Sequence, residues 1–446
     1  MKRFALVIAL LGVACRKTPD GPCASAKQEG SLAWIADDYP AALACAKERK
    51  VPIVIDLWAP WCHTCLSMQS TVLVDPSFAP DKAKFVFLKL DTDRETNAGP
   101  LAKLSISAWP TFYVLSTNEA VLARFIGSSS VAQFHAFLDA GARAALGGQA
   151  GVDARLLGAE RALAAKDYVT ADEELTVALA AAPETWPRRP DVLDSLIMTK
   201  RRNQDFAGCL TLAESNLEQT GNAAAASDFL ASAMACADER ATEEPTRVRA
   251  LRERAVARWQ QLLADKSAPL SVDDRSDAMA SEREALLALG RPDEAKALAE
   301  QQRVLLDDAA AKASTPEAAM TYIYQRAEVY VYLGRPLELV PALEKAAADL
   351  PKEYEPRARL GSLLLRAGRL DEAAKWTDQA LALVYGPRKG RLLSQRAEIA
   401  KAAGDKAAEQ KYRAEAVQLF ESLPPSQQTP EALTKARAAL AATEAR

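Results

Sequence analysis

Residues 51–65 read VPIVIDLWAPWCHTC, and no other stretch constrains the fold as tightly. Ile53, Val54, Ile55, Leu57 and Trp58 make a short apolar, β-branched run bounded by Pro52 and Pro60, the pattern of a fully buried strand. Directly behind it stand Cys62 and Cys65. When such a strand feeds a helix, Cys62 falls at the helix N-terminus, where unpaired backbone N–H groups and the positive end of the dipole stabilise a thiolate. Cys65 then lies one turn further in, placed to form a disulfide with Cys62 or to attack a mixed disulfide made there. The spacing therefore favours a redox-active dithiol. Zinc would need two further ligands at matching spacing, and the chain has neither a second C-x-x-C nor a nearby Cys/His pair. Covalent haem attachment would need His after Cys65, where Leu66 stands. No metal and no bound cofactor is expected.

Around this stretch, strands alternate with helices. Residues 39–50 form a short amphipathic helix with Ala42, Leu43 and Ala46 on its apolar side, and a second helix runs from Cys62 to about Thr71. Residues 85–90, FVFLKL, are another buried strand, closed by Asp91, Thr92 and Asp93. Leu101 and Leu104 stand at helical spacing. Residues 112–115 and 121–126 read as a hairpin, and residues 129–145 as a closing helix carrying Val131, Phe134, Phe137 and Leu138. The order predicts an α/β sheet covered on both faces. Asp56 is a charge inside an apolar strand, and burying an unpaired carboxylate is costly and raises its pKa. Pro110 interrupts the apolar run 106–114.

Three places in this segment together resemble thioredoxin: Asp56 to Cys65 with Trp61 before the dithiol, then Lys89-Leu90-Asp91, then Trp109-Pro110-Thr111. The similarity is greatest to the exported thioredoxin-like domains of bacterial Dsb-type thiol:disulfide interchange proteins. It implies a thioredoxin fold over residues 31–147, with Cys62 as the exposed attacking thiolate and Cys65 as the buried resolving thiol. It implies that Asp56 lies under Cys65 and relays its proton, with Lys89 on the neighbouring strand as its partner. It also implies that Pro110 is cis and packs on the disulfide, and that Trp61, Trp109 and Pro110 face the substrate, a protein thiol or disulfide. Two departures bear on the redox potential: His63-Thr64 replaces Gly-Pro, and Ser70 stands where thioredoxin has a helix-kinking proline. His63 either adds positive charge beside the Cys62 thiolate or is an uncoupled imidazole. The bulk of Trp109 either narrows which partners fit or packs on Trp61.

Beyond residue 151 strand signals vanish and the composition turns to Ala, Leu, Glu and Arg. Gly290, Gly334, Gly368 and Gly404 recur at intervals of 44, 34 and 36 residues, each in a Gly-Arg or Gly-Asp context, and the middle interval is the tetratricopeptide period. In the copy around Gly368, the residues Gly361, Ala373 and Ala380 fall where that family has small residues at helix contacts. Weaker copies surround Lys166-Asp167-Tyr168 and Asn203 to Phe206. Residues 152–446 are thus expected to form an all-α, tetratricopeptide-like solenoid whose groove holds a partner protein, the alternative being a rigid spacer.

The chain begins with Met1, Lys2 and Arg3 before an apolar run too short to span a bilayer, the pattern of an export signal over residues 1–15. Gly12-Val13-Ala14-Cys15 resembles the lipobox of bacterial lipoproteins and implies a lipid anchor on Cys15, although Gly12 stands where that family has Leu. Ordinary signal cleavage after Ala26 is the rival. Residues 16–30 read as a tether, and the whole places the protein in the cell envelope, facing the periplasm. With Cys15 lipidated, six of the seven cysteines remain, an even number that permits Cys23–Cys45 and Cys209–Cys236 disulfides in an oxidising compartment. Buried thiols are the alternative. The net charge of −3, with no basic face or Lys/Arg run that stands out, argues against nucleic acid.

Overall fold

The computed structural model describes residues 21–147 and 150–445, so Cys15 and the export signal lie outside the described residues. Six strands, β1 (Lys27–Glu29), β2 (Leu32–Ala36), β3 (Ile53–Trp58), β4 (Val86–Asp91), β5 (Thr111–Leu115) and β6 (Val121–Ile126), form one sheet in the order β1-β2-β4-β3-β5-β6. β2, β4 and β3 are parallel, while β1, β5 and β6 pair antiparallel. Strand parity divides the core. Ile53, Ile55 and Leu57 pack with Tyr39, Ala42 and Ala46 of helix α1 (Tyr39–Arg49) on one face. Val54 turns to the other, where helix α2 (His63–Thr71) contributes Met68. After two single-turn helices, α3 (Asp81–Lys84) and α4 (Ala98–Leu101), helix α5 (Val131–Ala145) closes that second face with Phe134 and Phe137. Both rings are fully buried, each contributing about 2 kcal/mol by removal from water. A capping box between Ser130 and Gln133 starts α5.

The expected tether is shorter than residues 16–30. Leu32 and Trp34 are buried, so residues 32–36 join β4 as a strand, and their free edge pairs with Lys27–Glu29. Cys23 is bonded to Cys45 of α1. The α/β unit therefore reaches back across most of the segment read as linker.

From residue 152 the chain is helical, with helices packed as consecutive pairs. In order these are Val152–Ala164 with Tyr168–Ala181, Arg189–Arg202 with Phe206–Asn216, Ala224–Arg240 with Pro245–Ala264, and Val272–Ala288 with Pro292–Lys312. Ile323–Tyr332 with Pro336–Asp349, Glu355–Arg366 with Leu370–Leu381, and Gly386–Ala402 with Lys406–Ser422 follow, before a closing helix, Pro430–Glu444. Gly290, Gly334, Gly368 and Gly404 sit between the two helices of a pair with φ between 72° and 76°, the left-handed conformation that ends a helix. Lys166 and Gln204 take the same place and conformation in the first two pairs, φ 61° and 59°. Their copies are weak in sequence because the glycine is missing, while the backbone repeat is intact. Within the sixth pair and its neighbour, a Cβ on Gly361 would lie 2.2 Å from the Thr377 hydroxyl, and Ala373 and Ala380 have no exposed surface.

The solenoid is docked on the α/β unit, mainly through the first helix of successive pairs. Arg161 donates to the Val121 carbonyl, Arg202 to that of Ser107, and Gln133 to Asp191. Asp273 and Tyr324 meet His63, and Arg388 and Arg391 lie over Trp61. Tyr385 donates to Asp91, and Gln427 to the carbonyls of Thr92 and Arg94 at 2.9 Å each. At Gly386 (φ 57°) the backbone approaches so closely that a Cβ would lie 2.0 Å from the Asp93 carbonyl oxygen. The groove expected to receive a partner thus has this chain's own α/β unit along it.

Candidate functional site

The dithiol lies where parity and capping put it. β3 ends at Trp58, the chain turns, and Cys62 caps α2 in an extended conformation. The Cys65 amide donates to Cys62 Sγ at 3.0 Å, so one of the unpaired donors of the helix start is already aimed at the outer sulfur. Cys62 and Cys65 are joined as a disulfide. Trp58, Trp61 and Trp109 pack around the pair. Cys65 is 1% exposed and Cys62 only 5%. The expected exposed attacking thiol is therefore covered, because two tryptophans close over it and the solenoid backs them.

Behind the dithiol, Asp56 shares a face with Val54 and so lies beneath α2. Gln69, one turn beyond Cys65 on that helix, donates to Asp56 Oδ2 at 3.4 Å, while Oδ1 has no hydrogen-bond partner. Burial raises the Asp56 pKa to about 7, with the Gln69 hydrogen bond and the charge of Lys89 opposing. Lys89 stands opposite Asp56 in the β3–β4 register, yet its ammonium pairs with Glu29 at 2.5 Å. The expected Asp56–Lys89 pair is corrected to Lys89–Glu29, with Lys89 acting on Asp56 only through space. Glu29 belongs to β1, inside the segment expected to be a tether.

The Trp109–Pro110 bond is cis. Of the two readings for Trp109, packing on Trp61 is observed: the rings meet edge to face at 5.1 Å, and the Trp109 indole donates to Thr92 Oγ1 at 2.9 Å. Trp61 donates to Asp93 Oδ2 at 2.8 Å and receives Arg388 and Arg391 over its ring at 5.6 and 5.8 Å.

His63 points to the solenoid. Its Nδ1 lies 3.0 Å from Asp273 Oδ1 and 3.8 Å from Asp277 Oδ2, and the ring stacks on Tyr324 at 5.4 Å. Burial opposes its charge, but Asp273 and Asp277 outweigh it and raise the pKa to about 9. The imidazolium is therefore present at neutral pH with its charge answered by two carboxylates of a neighbouring helix. His63, Asp273 and Asp277 offer ligand atoms within 4.8 Å of one another, a cluster the sequence reading had no means to assemble.

The other cysteines are paired. Cys23–Cys45 staples the chain before β1 to α1, and Cys209–Cys236 ties the second helix pair to the third. His135 lies on α5, hydrogen-bonded to Ser77 and with its ring 4.3 Å from that of Phe78. Residues that sequence reasoning did not single out are Gln69 and Glu29 near Asp56, and Asp273, Asp277, Tyr324, Arg388 and Arg391 on the solenoid. No signal marked them: Asp273 and Asp277 stand in the polar stretch SVDDRSDAMA, where an acid needs no special reason to be.

Fold and site together define a thioredoxin-like domain carrying a C-x-x-C disulfide, followed by a tetratricopeptide-like helical repeat domain. Residues 33–115 match the family described as thioredoxin-like. Among curated proteins, the chain is similar to the thioredoxin-like protein CITRX, chloroplastic, of Oryza sativa subsp. indica and of subsp. japonica. Each is 33% identical over 100 residues, covering 20% of this chain and 50% of the relative. The chain thus spans about half the length of the curated relatives it matches. Among solved structures, a tetratricopeptide repeat protein from Parabacteroides merdae ATCC 43184 is 15% identical, covering 66% of this chain and 98% of that one, with a TM-score of 0.43. YrrB, described as a TPR protein with an unusual peptide-binding site, is 16% identical over 46% of this chain and 90% of its own, at 0.26. The repeat assignment rests on the helix pairs and turns described above.

Proposed function

We propose that this protein is an exported thiol:disulfide oxidoreductase, held at the membrane through a lipid on Cys15, that exchanges disulfides with other proteins through Cys62 and Cys65. The observation that carries the reading is the disulfide at the start of α2, with Cys62 as the capping residue and an amide directed at its sulfur. In the reducing direction, the Cys62 thiolate attacks one sulfur of a substrate disulfide, a Cys62–substrate bond forms, and the other substrate sulfur leaves as a thiolate that takes up a proton. Cys65, having given its proton to Asp56, attacks Cys62 and releases the second substrate thiol. The substrate gains two electrons and the enzyme is left as the Cys62–Cys65 disulfide; a thiol donor restores it. The same steps reversed donate a disulfide, and the reduction potential decides the direction. Asp56, with a pKa near neutrality, suits proton acceptance.

A second reading is favoured by the 5% exposure of Cys62: a scaffold in which the repeat domain binds partners and the thioredoxin fold is a docking module without turnover. Insulin reduction by the full chain separates the two. Dithiothreitol-driven turnover that disappears in Cys62→Ser supports the oxidoreductase. Inactivity of the wild type under conditions where Cys62 and Cys65 are shown to be reduced contradicts it.

A further inference from the structure

A cavity of about 250 Å³ lies beside the dithiol, between the loop preceding Pro110, the end of β6 and the first helices of the second, third and fourth solenoid pairs. Thr64, from within the C-x-x-C motif, and Trp109 form its inner wall. The outer wall is acidic. Asp194, Asp228, Asp274 and Asp277 line it from three helices, and Arg201 is the single cation among its described lining residues.

Two of these acids are already engaged. Asp274 bonds the Ser271 backbone in a capping box, and Asp277 accepts from Gln325 at 2.6 Å and faces His63. The other two are not. Asp194 is 6% exposed and its Oδ1 has no hydrogen-bond partner, and Asp228 Oδ2 faces the backbone of Gly127, whose missing side chain leaves it room. A buried acceptor without a donor is costly, and acids gathered against one another are costlier still, so a site of this kind is completed by a cation from outside. Met198 and Ala231 supply an apolar stretch of wall. The long aliphatic stem and charged tip of lysine or arginine match that combination.

We propose that this cavity receives a basic side chain of the substrate, so that the enzyme selects polypeptides with lysine or arginine close to the reacting cysteine. The proposal names the substrate class for the oxidoreductase reading and rests on it. Burial and repulsion among neighbouring acids raise Asp194 and Asp277 to a pKa of about 7, although Arg201 opposes the shift at Asp194 and His63 at Asp277, and they push Asp228 well above its ordinary value. An entering ammonium or guanidinium lets them ionise around it.

The test separates selection from turnover by blocking the chemistry. Three otherwise identical ten-residue peptides carry S-methylcysteine flanked by lysine, serine or glutamate, and binding to the oxidised full chain is measured by fluorescence anisotropy. At low salt the lysine peptide binds about tenfold or more tighter than the serine peptide, the glutamate peptide binds weaker than both, and the differences shrink as salt is raised. In Asp194→Asn and Asp228→Asn, near-isosteric changes that leave the walls in place, the lysine preference falls several-fold while the serine peptide is unaffected. Equal affinities across the series, no binding of any peptide, or a lysine preference retained in both variants overturns the proposal. Selective binding by a protein that fails to reduce insulin upholds the pocket and removes the oxidoreductase reading.

Discussion

Asp56 holds a carboxyl group inside a β-sheet with one oxygen unpaired, a state the rest of the fold must impose. The sequence already marked it, because a charge in the run IVIDLW needs explaining, whether as a proton relay, a structural buried pair or an edge-exposed acid. Its partner was not legible. Lys89 is the cross-strand neighbour, but Glu29 captures it from an edge strand whose residues, KQE, carry no strand signal of their own. The Asp56 pKa, about 7 against an ordinary 3.8, fixes the sign of a stability effect. A raised carboxyl contributes stability that is present below about pH 4 and lost as pH rises through about 7. Asp56→Asn removes that loss. The variant is expected to be more stable than the wild type by roughly 2–4 kcal/mol at pH 8 and equal to it near pH 4, by urea unfolding of the oxidised chain. Parallel pH profiles for the two proteins contradict this account of the site. Release of substrate from the Cys62 mixed disulfide is expected to slow in the same variant, so the residue trades stability for proton transfer.

Among elements, α2 and the solenoid helix Val272–Ala288 are the pair on which access to the dithiol turns. His63 joins them, and its pKa of about 9 lies above the ordinary 6.5. The contact therefore contributes its full stability below about pH 6.5 and loses it as pH rises through about 9. Hydrogen exchange of the oxidised chain, corrected for intrinsic rates, is expected to show residues 62–68 and 271–278 losing protection between pH 6 and pH 9. In His63→Gln protection is weak at both. A wild-type loss reproduced unchanged in the variant contradicts the role of this contact. Most elements were legible, since β3 is a short apolar run, the β5–β6 hairpin follows it as two further apolar runs, and α5 carries strong apolar periodicity, while α2 was read from the place of the dithiol behind β3. β2 was not, because LAWIA is five residues long and its strand identity comes from pairing with β4. In the solenoid, the glycine signal found the later turns and only faintly the first two, where Lys166 and Gln204 accept the same left-handed strain.

At the scale of the molecule, a repeat stack and a redox fold enclose one pair of sulfurs between them. Composition and periodicity predicted both parts and were silent on their docking, because which face of a helix pair meets a neighbouring domain depends on contacts hundreds of residues apart, such as Tyr385 with Asp91. Cys209–Cys236 stiffens the wall of the enclosure by tying two repeats together, a link worth about 3 kcal/mol for a loop of this length. The central claim is that Cys62–Cys65 is the working disulfide while the other two are structural. Exposure alone ranks them otherwise, since Cys23 is partly exposed and Cys62 is nearly covered. The decisive measurement equilibrates the folded full chain with graded ratios of reduced to oxidised glutathione, followed by alkylation and mass spectrometry of each cysteine. The account predicts that Cys62 and Cys65 become reduced together, reversibly and at a higher potential than either other pair, because the start of α2 stabilises the released thiolate. Reduction of Cys23–Cys45 first, or opening of Cys62–Cys65 only when the chain unfolds, would contradict it.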